Sequence, residues 1–276
     1  MYVRPRTLDE AVRALDAPDV QILAGGTDFY PAHVGRIVSA PVVDITAIDE
    51  IDGIAAAADH IRIGGRTTWT QVLAAPLPRC FDALKAAARE VGSIQIQNRA
   101  TVAGNLCNAS PAADGVPPLL ALDAEVELVS RAGTRCLPLA VFITGNRKTE
   151  RRPDEILSAI IVPRTIDGPS AFLKLGARRY LVISIAMVAA VIERDSKGAV
   201  SQARIAVGSC SAVAQRLPEL EQQLRGSPCK PGLGDTVQAK HLAALSPIDD
   251  VRATAEYRRD AARTLVARAI EQCVGG

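Results

Sequence analysis

A chain of 276 residues with 48% hydrophobic and 22% charged residues has the composition of a folded globular protein and excludes a disordered or low-complexity one. Its 32 basic and 30 acidic residues leave a formal net charge of +2, spread along the chain, so no electrostatic footprint for nucleic acid is present. The longest strongly apolar run, Leu181 to Ile192, falls well short of the roughly 20 residues that span a bilayer, and MYVRPRTLDE lacks a signal-peptide layout, so a cytoplasmic protein whose mature chain starts at Met1 is expected.

Thr7 and Glu10 form a capping box at the start of a short helix in TLDEAVRAL. VQILAGG then reads as a buried strand running into a glycine turn, and PVVDIT (41–46) as a second strand after a connection containing His33. A helix between them permits parallel pairing. Residues 51–65 read as a hairpin turning at Ala-Asp-His, and TTWTQVL as a Thr-capped helix. FDALKAAAREV repeats apolar residues at helical spacing and delivers the chain into residues 98–110, whose Asn, Ser, Gly and Ala predict an irregular polar loop with something to bind. Beyond it, PPLLALDAEVELVS predicts a helical turn and a strand, with a Gly133 turn and the return strand TRCLPL.

Gly145, Pro153, Pro163, Gly168 and Pro169 mark a composition shift and a domain boundary between about 145 and 170. The remainder predicts strands at 171–176, 181–193 and 203–211, then helices, the last at 254–274 with a stripe of Ala262, Leu265, Val266, Ala269, Ile270 and Cys273. Strands followed by helices describe an α+β unit with helices on one sheet face.

No GxGxxG follows the first strand, and no GxxxxGK[ST], HExxH or GxSxG occurs. The six cysteines form no CxxC pair, so they read as buried free thiols and not as metal ligands. The basic cluster Arg147, Lys148, Arg151 and Arg152 reads as a solvated loop. What remains are two small-residue turns, ILAGGTDF (22–29) and TVAGNLCNASPAAD (101–114). Their backbone N–H groups and short polar side chains suit an anion nest such as a pyrophosphate site.

These two stretches resemble the FAD-binding signatures of the medium subunit of molybdenum hydroxylases of the xanthine dehydrogenase and carbon monoxide dehydrogenase type. The resemblance extends over nearly the whole chain, through EILSAIIVP (155–163), FLKLGARR (172–179) and YRRDAARTLVARAI in the terminal helix. It implies an α+β fold: an FAD-binding domain of the p-cresol methylhydroxylase (PCMH) type at 1–165, itself two α+β lobes, followed at 170–276 by an α+β domain of the CO dehydrogenase flavoprotein C-terminal type. It places FAD against Ile22, Leu23, Ala24, Gly25, Gly26, Thr27, Asp28 and Phe29, and against Thr101, Val102, Ala103, Gly104 and Asn105. Further flavin contacts are implied at Val91, Asp114, Ile156 and Lys174, with no catalytic side chain and no metal ligand.

Ala103 departs from the glycine many members carry in a TIGGN pattern, which requires a turn that accepts a Cβ there. The four-cysteine insertion that carries an additional cluster in some relatives is absent.

The implied activity is oxidoreductive electron relay. A large molybdopterin subunit hydroxylates substrate, a small 2Fe–2S subunit passes electrons, and FAD on this chain delivers them to NAD or another external acceptor. The implied assembly is a heterotrimer, doubled to an (LMS)2 heterohexamer. Two other readings stay open: an assembly subunit that has kept the fold and lost FAD, and a self-sufficient flavin reductase on the same fold.

Overall fold

The computed structural model describes residues 1–275. Among the described residues three larger sheets and one two-stranded sheet carry it. The first is parallel, with order β1 (Tyr2–Val3), β3 (Val42–Asp44), β2 (Gln21–Leu23). Helix α1 (Leu8–Ala14) starts at the Thr7–Glu10 capping box and buries Ala11 and Val12 on this sheet with Val43 and Ile45. The connection from β2 to β3 contains the short α2 (Phe29–Ala32), so the expected parallel pairing is formed.

The second sheet is antiparallel. Its order is β4 (Ile54–Ala56), β5 (His60–Gly64), β10 (Ile156–Pro163), β6 (Glu125–Ser130), β7 (Gly133–Pro138). Between β5 and β6 run α3 (Trp69–Ala74), α4 (Asp82–Glu90), α5 (Ile94–Gln97), α6 (Val102–Asn108) and α7 (Val116–Ala121). After β7 come α8 (Leu139–Phe142) and a small hairpin, β8 (Ile143–Gly145) and β9 (Lys148–Thr149). Ile61, Ile63, Val126, Leu128 and Ile160 of the sheet share one core with Trp69, Leu84, Leu106 and Leu119 of the helices.

The third sheet has order β11 (Ser170–Leu175), β12 (Ala186–Arg194), β13 (Val200–Gly208), β14 (Gln215–Arg216), covered by α9 (Pro218–Leu224) and α10 (Ala255–Gly275). Its own helices lie on one face, with Leu220, Val266 and Ile270 packed on Ala186, Val188, Ala190 and Ile192. The opposite face is not solvated: Met187, Ala189 and Val191 join the core of α4 and α7. Burial on both faces explains why β12 is apolar without alternation. Residues 181–185, expected in this strand, precede it, and Leu181 has a left-handed φ of 50° with its side chain exposed.

Candidate functional site: a cleft along the sixth helix

The glycine turn follows the C-terminal end of β2, the place where parallel sheets leave room for a ligand. Gly26 has φ 76°. At Gly25 the constraint is a close approach: a Cβ there would lie 1.9 Å from the Arg99 carbonyl oxygen. The glycine turn is therefore packed on the Arg99–Ala100 backbone that leads into the second small-residue stretch. The N–H groups of Gly25, Gly26 and Thr27 have no acceptor among the described residues.

Residues 98–110 differ from the irregular loop their composition predicts. Thr101 is an N-cap whose Oγ1 accepts from the Gly104 N–H at 2.9 Å, and α6 runs from Val102 until Ala109 takes a left-handed φ of 47°. Val102 and Leu106 are buried, which holds the helix in place despite its polar sequence. The Val102 N–H donates to the Thr67 carbonyl and the Asn105 N–H to the Thr101 carbonyl. Of the five N–H groups of Thr101–Asn105, three are thus consumed internally, leaving those of Thr101 and Ala103. Ala103 sits in the first helical turn, where its Cβ causes no strain.

A cleft of about 680 Å³ opens along α6. It brings together Ile22, Ala24, Gly25, Gly26, Thr27, Asp28, Phe29, Val91, Thr101, Ala103, Gly104, Asn105 and Ile156. Leu23 and Val102 are instead buried in the core behind it. Asp114 and Lys174 do not line it. They form a buried ion pair, Lys174 Nζ to Asp114 Oδ2 at 2.7 Å, and the Ser184 hydroxyl donates to Asp114 Oδ1 at 2.8 Å. Burial pushes the Asp114 carboxyl above its ordinary value, against the opposing pull of Lys174 and Ser184.

Other lining residues were not singled out from the sequence. Trp69 is fully buried, and its Nε1 lacks a hydrogen-bond partner, as does the buried Asn105 Oδ1. No local pattern around Trp69 distinguishes it from a core residue. The basic cluster is more than a solvated loop: Arg147 and Thr149 of the β8–β9 hairpin and the half-buried Arg151 just after it line the cleft, although Arg147, like Lys148 and Arg152, is exposed. Beside them the Cys107 thiol is pushed up to about 11 by burial, with Arg151 pulling it down, so it is protonated at neutral pH. Cys80, Cys210 and Cys273 are buried thiols as expected, but Cys136 is exposed.

Unmatched N–H donors at one end, guanidinium groups at the other and orphaned buried polar atoms in the lining fit an elongated ligand that carries an anionic group and a second group about one helix length away. This is the class of a dinucleotide-binding protein.

The family model described as "FAD binding domain in molybdopterin dehydrogenase" matches residues 1–165, and that of the CO dehydrogenase flavoprotein C-terminal domain matches residues 171–273. The xanthine dehydrogenase FAD-binding subunit of Escherichia coli O157:H7 is 33% identical, over 99% of this chain and 95% of that protein. The nicotinate dehydrogenase FAD subunit of Eubacterium barkeri is 35% identical over 82% and 80%. The solved carbon monoxide dehydrogenase of Hydrogenophaga pseudoflava superposes with TM-score 0.89 at 27% identity, over 99% of this chain and 96% of that one. The chain belongs to the FAD-binding medium subunits of the xanthine dehydrogenase and carbon monoxide dehydrogenase family, and it is an oxidoreductase subunit whose cofactor is FAD.

Proposed function

We propose that this subunit takes electrons from 2Fe–2S clusters on a small partner chain and passes them through FAD to an external acceptor, NAD or another. The substrate is hydroxylated on a large molybdopterin chain. FAD, when bound, exchanges electrons singly or in pairs, so it joins one-electron donors to two-electron acceptors. The protein's own contribution is binding and orientation. The N–H groups of Gly25, Gly26 and Thr27 would hold the pyrophosphate. Asn105 Oδ1 and Trp69 Nε1 would find ligand partners, and Val91, Ile22 and Ile156 would exclude water. Leu23, Val102 and the Asp114–Lys174 pair would support this wall from behind. The contact between the Gly25 turn and the Arg99–Ala100 segment carries this reading, because it makes one cleft of two distant stretches.

The family-model boundaries support a division into an FAD-binding domain at 1–165 and a C-terminal domain at 170–276. No helix of the described residues is long and apolar enough to cross a membrane, and the free cysteines suit a reducing compartment, which favours the cytoplasm. Assembly is proposed as a heterotrimer doubled to (LMS)2. Native purification tests this: the chain should accompany a molybdenum chain and an iron–sulfur chain, and substrate should bleach its flavin absorbance. A chain that purifies alone and reduces a substrate by itself would overturn the relay.

A further inference from the structure

The cleft runs along α6, and its two ends differ. At the N-terminal end the Gly25 turn lies on Arg99 and Ala100 and supplies unmatched N–H donors. At the C-terminal end the hairpin is tied down: the Arg147 N–H donates to the Ala109 carbonyl, and Arg147 Nη1 to Asn108 Oδ1 at 2.9 Å. Seven residues separate these ends, on the order of 10 Å of helix, so an anion held at the first end leaves the second to a terminal group of the same ligand.

Arg151 is fixed there with little freedom. Its Nη1 donates to the carbonyls of Arg152 at 2.9 Å and Glu155 at 2.8 Å, and the adjacent carboxylate of Glu155 is already held by Arg135. Among the described residues no carboxylate pairs with Arg151. A planar guanidinium that is pinned at one edge, lacks a counter-charge and borders a cleft offers a flat cationic face. Such a face prefers an electron-rich aromatic ring, and of the two rings of FAD the purine is the richer.

Resting on the reading of this cleft as the FAD site, we propose that Arg151 is a positioning residue that stacks on the adenine, so that the hairpin end holds the adenylate half and selects FAD over FMN. The test uses the full chain stripped of flavin, titrated calorimetrically with FAD, ADP, FMN and inorganic pyrophosphate, as wild type and as Arg151→Gln. The variant should bind FAD and ADP about three- to thirtyfold more weakly, with FMN and pyrophosphate unchanged; the unchanged ligands show that the variant's cleft is folded. Arg151→Lys, which keeps the charge and loses the plane, should restore only part of the ADP affinity. Unchanged FAD and ADP binding would overturn the proposal, as would equal weakening of all four ligands in both variants. Loss confined to FMN would place the flavin ring at this end and overturn it too. A wild-type chain that binds no FAD would overturn the cleft assignment itself.

Discussion

Gly25 and Glu155 show how single residues set the cleft wall. At Gly25 there is no room for any side chain, since even a methyl group would overlap the Arg99 carbonyl, so a substitution must push the turn away from α6. Glu155 anchors the start of β10. Its carboxylate accepts from Arg135 Nε at 2.5 Å and Nη2 at 2.9 Å, and from the Arg152 N–H at 2.7 Å. Burial raises its pKa, but these hydrogen bonds and the charges of Arg135 and Arg152 outweigh it and hold the group below its ordinary 4.5. A depressed acid contributes stability above the unfolded value and loses it as pH falls through the folded one. Glu155→Gln should therefore destabilise the chain at pH 7 by about 1.5–3 kcal/mol, a gap that closes on acidification below pH 4.5. Urea unfolding at several pH values checks this; a pH-independent gap would remove the charge from the explanation.

At the scale of elements, α6 is held by its cap and its buried face more than by composition. Thr101→Ala leaves the Gly104 N–H without an acceptor and should cost about 1 kcal/mol, while Thr101→Ser should cost little. Thermal unfolding with and without FAD would show it, with a larger loss in the FAD-bound form because α6 lines the cleft. The cap was legible in the sequence only as one polar residue among many, since Asn, Ser and Gly argue against a helix and burial of Val102 and Leu106 overrides them. The Thr7–Glu10 box, the 51–65 hairpin and the terminal helix were legible because each is fixed by local chemistry or a long periodic stripe. The second cover on β12 was not, because it comes from α4 and α7, more than sixty residues upstream in the chain. For the same reason Arg151 read as a solvated charge: what makes it a wall is the approach of the hairpin to α6.

For the whole molecule, the two matched regions share a core. Phe172, Met187 and Val191 of the third sheet pack with Leu84 and Leu119, and the Asp114–Lys174–Ser184 network spans the same junction. The loop that follows α6 is thereby tied to the third sheet and its approach. The proposed position of FAD is the cleft between the Gly25 turn and α6. It is tested most directly by measuring the flavin released on denaturing purified wild type and Gly25→Val. The wild type should release FAD near one equivalent per chain; Gly25→Val, with its circular dichroism preserved, should release little or none. Equal flavin from both folded proteins would place FAD outside this cleft.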